Sequence, residues 1–125
     1  MSIPDGIKYT NEHEWVKIDN DTAIIGVTDF AQSELGDIVF IEFPNIGDSF
    51  SQNDVFGTIE AVKTLADLYL PLSGKIISIN NEIENTPELI NEDPYNNGWL
   101  VKIKFNNLSE YDNLLSNTDY EKLIK

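Results

Sequence analysis

The stretch "FGTIEAVKTLADLYLPLSG", Phe56 to Gly74, decides how the chain is read. Two strand-like runs flank a short polar segment that holds Lys63. Upstream, Val55, Gly57 and Ile59 alternate onto one face; downstream, Leu68, Leu70 and Leu72 do the same. Residues Ala61 to Ala66 therefore fall at or near the tip of a hairpin-like connection. A lysine there is exposed, flexible and open to acylation. It also fits an ordinary solvated cation paired with Glu60 or Asp67, and spacing alone favours that plainer reading.

Short elements surround this hairpin. Glu14–Ile18 ("EWVKI") alternates, Asp19–Thr22 is a polar turn, and Ala23–Val27 ("AIIGV") is a second strand. Thr28 suits the N-cap of "DFAQSEL", where Phe30, Ala31 and Leu35 are helically spaced, and Gly36 stops the helix. Asp37–Phe43 ("DIVFIEF") is apolar on both faces, as a buried strand would be, and Pro44 ends it. Ser73-Gly74 turns into Lys75–Ile79. A long polar connection follows, with Thr86 as N-cap and Pro87 as first residue of one helical turn through Ile90. Trp99–Phe105 is a strand whose Lys102 and Lys104 face solvent.

The period then changes. Ser109 caps a segment with Tyr111, Leu114 and Leu115 at helical spacing. Thr118-x-x-Glu121 reads as a capping box for a last turn or two bearing Tyr120, Leu123 and Ile124. Many short strands followed by a small helical tail predict a mainly β barrel or sandwich. Residues 1–125 are expected to form one domain, with core strands over about 8–105 and C-terminal helices over about 109–124.

Composition removes several functions. The 125 residues carry a net charge of −14, and all eight basic residues are lysine. Such a chain repels phosphate backbones and anionic membranes, so neither nucleic acid nor membrane is an expected partner. It has no cysteine, hence no thiol nucleophile and no cysteine-based metal site. Any sulfur redox chemistry must arrive on a cofactor. His13 is the one histidine, between Glu12 and Glu14; residues adjacent on a strand point to opposite faces, so we read it as structural and assign no metal site. A small hydrolase lacks its parts, since no serine stands at motif spacing from the histidine. "MSIPDGIKYT" holds no apolar run of signal-peptide or membrane-helix length. The expected location is the bacterial cytoplasm, the mitochondrial matrix being the lesser alternative.

The hairpin stretch resembles the lipoyl-lysine hairpin of the glycine cleavage system H-protein family. That pattern has the form Glu-Ser-Val-Lys, then small residues, Asp, and Pro-x-Ser-Gly. Here Glu60, Val62, Lys63, Asp67, Pro71, Ser73 and Gly74 stand in that order and spacing. "YTNEHEWV" (Tyr9–Val16), "GVTDFAQSELGDIVFIEFP" (Gly26–Pro44), "PELINEDPYNNGWLVKIK" (Pro87–Lys104) and "YEKLI" (Tyr120–Ile124) are similar to further signatures of the family. The resemblance covers nearly the whole chain. Two departures stand out: Ala61 where the family often has Ser, and Glu34 where some relatives have His.

The resemblance implies a lipoyl/biotinyl-type flattened β-barrel (a barrel-sandwich hybrid) with a short internal helix and a helical C-terminus. It implies a monomeric, non-catalytic carrier with lipoic acid in amide linkage to Lys63. Glycine decarboxylase, a pyridoxal-phosphate enzyme, would load the aminomethyl group of glycine. A tetrahydrofolate-dependent aminomethyltransferase would unload it, and dihydrolipoamide dehydrogenase would reoxidise the arm. Glu14 and Asp67 match the positions that hold the amine in the family's acidic cleft. Glu60, Val62 and Gly74 match the turn that lipoyl-attaching enzymes recognise. Three relatives in kind are weighed against this. A biotin carrier usually flanks its lysine with methionines, and the only one here is Met1. A lipoyl domain of a 2-oxoacid dehydrogenase would lack the helical tail. An H-like relay that donates lipoyl groups to 2-oxoacid dehydrogenase complexes shares the attachment site and remains the alternative.

Overall fold

Alternating side chains set the first strands. The computed structural model describes residues 1–125 and opens with an antiparallel set, β1 (Lys8–Tyr9), β2 (Glu14–Asp19) and β3 (Thr22–Val27). Ala23, Ile25 and Val27 turn one face of β3 into the core. Helix α1 (Asp29–Leu35) follows. The Thr28 hydroxyl oxygen caps it by accepting the Ala31 N–H at 3.1 Å. Gly36 ends it at φ +80°, where a side chain would be strained. Strands β4 (Ile38–Glu42), β5 (Ser49–Phe50), β6 (Val55–Ala61), β7 (Leu65–Tyr69) and β8 (Gly74–Ile79) come next. After α2 (Asn81–Asn85) and α3 (Leu89–Glu92), β9 (Val101–Phe105) returns to the sheet, and α4 (Ser109–Asp112) and α5 (Asn117–Ile124) close the chain.

The strands form a six-stranded sheet in the order β1-β2-β3-β9-β8-β5 and a three-stranded sheet in the order β4-β6-β7. One apolar core joins them: Val16, Ile25, Ile76 and Ile103 from the first sheet pack with Ile41, Phe56, Ile59 and Leu68 from the second. Each such side chain gains roughly 1.5–3 kcal/mol by leaving water. A second cluster, Tyr9, Trp15 and Tyr120, anchors the C-terminal helix, with the Tyr9 and Tyr120 rings stacked at 4.7 Å. The expected mainly β barrel-sandwich with an internal helix and a helical tail is the fold observed.

Several local expectations fail for identifiable reasons. Strand β4 is not buried on both faces: Val39 and Phe40 are exposed, because β4 is the edge of the small sheet and its register breaks between Ile38 and Phe40. Val55 does not share the inner face with Ile59, since the register also shifts between Val55 and Gly57 and Phe56 takes the buried place. The polar connection contains α2, capped by Asn80 and holding a single buried apolar side chain, Ile83. Thr86 is the C-cap of α2, and α3 begins after Glu88. Trp99 and Leu100 precede β9 instead of lying in it. Leu108, not Ser109, precedes α4. Ser116, not Thr118, caps α5, accepting the Asp119 N–H at 3.2 Å.

Candidate functional site

Lys63 stands at the apex of the β6–β7 hairpin. Glu60 and Leu65 are paired, and the Ala61 N–H donates to the Thr64 carbonyl at 2.8 Å, leaving Val62 and Lys63 as the loop. The Val62 N–H donates to the Asp37 carbonyl at 3.0 Å, which ties the tip to the turn between α1 and β4. The Lys63 side chain crosses that turn. A Cβ built on Gly36 would lie 3.2 Å from the Lys63 Cε. Lys63 is exposed and pairs with neither Glu60 nor Asp67; the ion pair in this structure joins Lys125 to Glu121. Its amine is thus free.

Further along β7 from the tip, from Ala66 onward, lies a cleft of about 540 Å³. Its walls are Glu12, His13 and Glu14, Phe30, Ala31, Glu34 and Leu35 of α1, and Ala66 to Tyr69 of β7, with Val27 of β3 and Ile59 of β6 completing the lining. Lys63 is not itself a lining residue; it is linked to the cleft on two sides, since α1, whose Leu35 lines it, leads to the Gly36 that the Lys63 side chain crosses, and β7 runs from the tip into the wall. The alternation argument for residues 12–14 fails here. His13 adopts φ +68° in a turn ahead of β2, so Glu12, His13 and Glu14 all reach the same cleft. No three His, Asp or Glu side chains cluster as metal ligands.

Glu14 is buried to 1% exposure. Its Oε1 accepts the Thr10 hydroxyl at 2.6 Å, and its Oε2 accepts the Tyr69 N–H at 3.3 Å. Burial pushes its carboxyl up to about 8, against the opposing pull of those two hydrogen bonds. At neutral pH this carboxyl is largely protonated. Asp67 is exposed on the other wall. It stands opposite Thr58 in the β6–β7 register and lines the same cleft as its neighbours Ala66 and Leu68. The structure therefore brings Glu14 and Asp67 to one cleft, in different environments.

Sequence reasoning missed what fixes His13. Its Nδ1 lies 2.8 Å from the Tyr120 hydroxyl, which is also 2.8 Å from the Thr28 Oγ1. Its ring packs on Phe30 at 4.9 Å between centroids. Burial lowers the imidazole from its ordinary value, opposed by Glu12 and Glu34. Helix α5 thus holds a cleft wall through a chain of three polar side chains. No local sequence signal connects residues 107 positions apart.

The turn residues divide. Glu60 and Val62 are exposed beside Lys63. Gly74 is buried in the six-stranded sheet, opposite Phe105, where a Cβ would meet the Lys104 carbonyl oxygen at 2.5 Å. Its glycine identity follows from this close strand approach. Ser73 is likewise engaged: its N–H and hydroxyl both donate to the Glu110 carboxylate at 2.8 Å.

Two sheets around one core, with a free lysine at a hairpin apex beside an acid-lined cleft, define a carrier domain of the lipoyl/biotinyl type. A sequence profile described as "Glycine cleavage H-protein" matches residues 7–125. The glycine cleavage system H protein of Carboxydothermus hydrogenoformans is 53% identical over 123 residues, 98% of this chain and 95% of that protein. The corresponding protein of Anoxybacillus flavithermus is 50% identical over 124 residues, 99% of this chain and 98% of that one. A crystal structure of a glycine cleavage system H protein from Mycobacterium marinum matches with a TM-score of 0.89 at 32% identity, covering 95% of this chain and 96% of that one. The chain belongs to the glycine cleavage H-protein family. Members of that family are non-catalytic lipoyl carriers of the glycine cleavage system. No helix is long and apolar enough to cross a membrane.

Proposed function

We propose that this chain carries lipoic acid in amide linkage on the Lys63 Nζ and shuttles the aminomethyl group of glycine. In this reading glycine decarboxylase loads the carrier, the tetrahydrofolate-dependent aminomethyltransferase unloads it, and dihydrolipoamide dehydrogenase restores it. Lipoate would supply a disulfide that the cysteine-free chain lacks, with the thiol exchange and redox chemistry that goes with it. The carrier acts as a cytoplasmic monomer that meets its enzymes in turn.

The observation that carries the reading is the free, exposed Lys63 amine at a braced apex beside a cleft holding Glu14 and Asp67. The residues fit the cofactor. A lysine at a two-residue loop is open to an attaching enzyme, and Glu60 and Val62 stand beside it for recognition. The apolar part of the cleft, including Phe30, Ala31 and Leu35, offers a bound arm a surface that would shield it from water. Its carboxyls meet a cationic amine. Burial holds the Glu14 carboxyl up at about 8, and a cation set against it would pull that value down and favour the carboxylate, while Asp67 adds a second, exposed acid.

The cleft also favours cargo storage over a pure lipoyl relay, which needs an accessible lysine and no acidic shelter. Reconstitution of glycine decarboxylation with the purified lipoylated chain tests the reading: bicarbonate exchange into glycine supports it. Lipoyl transfer to a 2-oxoacid dehydrogenase domain without such exchange would favour the relay.

A further inference from the structure

Asn91 lies in α3, outside the cleft, yet its side chain brackets the turn that braces the lysine tip. Its Oδ1 accepts the Ile38 N–H at 3.0 Å. Its Nδ2 donates to the Gly36 carbonyl at 2.9 Å and to the Gln32 Oε1 at 3.0 Å. All three bonds fall on α1 or on the residues either side of Asp37. Asp37 is the residue whose carbonyl receives the Val62 N–H, one position before Lys63. Gly36, held by the same amide, is the residue the Lys63 side chain crosses.

We propose that Asn91 is a positioning residue for Lys63: by fixing Gly36 and Ile38 it aims the Asp37 carbonyl, and through it the hairpin tip presented to the lipoyl-attaching enzyme. The proposal rests on the assignment of Lys63 as the attachment site. The need for such a clamp follows from Gly36. At φ +80° it sits in a region that glycine enters at no cost, so the turn has little stiffness of its own. Asparagine suits the task because one planar group supplies two donors and an acceptor at fixed angles. Aspartate keeps only the acceptor, and alanine keeps nothing. The brace continues away from the site: Gln32 Nε2 donates to Asp29 Oδ1 at 2.7 Å, and Asp29 Oδ2 accepts the Ser2 N–H at 2.9 Å. The clamp is thus anchored on α1 and the N-terminal segment, not on the hairpin tip itself.

Amide hydrogen exchange on the full unlipoylated chain tests this with Asn91→Ala and Asn91→Asp. The expected result is a loss of Val62 N–H protection of about tenfold in Asn91→Ala and a smaller loss in Asn91→Asp. The amides of Ile25 and Ile103, in the six-stranded sheet, should keep their protection. In parallel, a lipoate ligase supplied with lipoate and ATP should show a KM for the Asn91→Ala chain raised about tenfold at similar kcat. Acylation of Lys63 by a small amine-reactive ester should not change. Unchanged Val62 protection overturns the proposal, as does a loss shared equally by Ile25 and Ile103. An unchanged ligase KM with a loosened Val62 also overturns it. If Asn91→Ala fails to fold, Asn91→Asp carries the same comparison. Failure of the wild-type chain to accept lipoate on Lys63 would instead strike the attachment assignment, and the exchange data would still decide whether Asn91 holds the tip.

Discussion

The Thr10 hydroxyl donates to the buried Oε1 of Glu14 at 2.6 Å, inside a cleft that opens beside Lys63. The same Thr10 oxygen accepts the N–H groups of Glu14 and Glu12 at 3.1 and 3.2 Å. The acid is thus locked in place, and burial keeps its proton on to about pH 8.

That burial sets a pH dependence. Folded Glu14 binds its proton more tightly than the unfolded chain does, whose value lies near 4.5. Below pH 4.5 both states are protonated and the carboxyl imposes no penalty. As pH rises from 4.5 to about 8 the unfolded state ionises first, and stability is lost. Glu14→Gln should match wild type near pH 4 and exceed it by roughly 1–3 kcal/mol at pH 9, measured by urea unfolding. Equal stability of the two proteins at pH 9 would contradict the burial.

The Tyr120 hydroxyl joins His13 to Thr28, and its ring stacks on Tyr9. Tyr120→Phe keeps the stack and drops the hydroxyl. It should cost about 1–2 kcal/mol and alter the His13 titration followed by NMR. Tyr120→Ala should cost about 3–5 kcal/mol. A His13 titration unmoved in Tyr120→Phe would count against the linkage.

Gly74→Ala should destabilise the fold by about 1–3 kcal/mol, because a backbone carbonyl at 2.5 Å cannot move aside as a side chain would. The folded fraction should still accept lipoate on Lys63 at the wild-type rate. A stable variant that the ligase rejects would make Gly74 part of the recognition surface.

Shelter by the cleft makes a kinetic prediction. Glu14→Gln or Asp67→Asn should speed the loss of formaldehyde from the aminomethyl-loaded carrier, by about tenfold for the buried Glu14 and less for the exposed Asp67. The check is formaldehyde release against time. Decay at the wild-type rate in both variants would remove the sheltering role.

What the sequence made legible was local. Thr28 and Gly36 bound α1 because a cap and a stop act within one turn. The hairpin around Lys63 showed as two alternating runs with polar residues between. Ser116 and Thr118 could each cap α5, and the choice is tertiary. Leu115 exchanges two backbone hydrogen bonds of 2.9 Å with Tyr9, so the extended chain ends there and Ser116 comes next. Helix α2 escaped notice because its one inward apolar residue, Ile83, leaves no period to detect. The exposed Val39 and Phe40 read as core because composition does not say which strand lies at an edge. The acids of the cleft were recognisable as candidates. Their environments were not, because Tyr69 reaches the cleft from elsewhere in the chain and Tyr120 bonds to its His13 wall from the C-terminal helix.

The central claim is that Lys63 carries the cofactor. Expression with lipoate and a competent ligase, followed by peptide mapping with mass spectrometry, tests it most directly. The account predicts one lipoyl group per chain, on the peptide containing Lys63, and none on a folded Lys63→Ala variant. Lipoyl on any of the other seven lysines, or an unmodified wild-type chain, would contradict it.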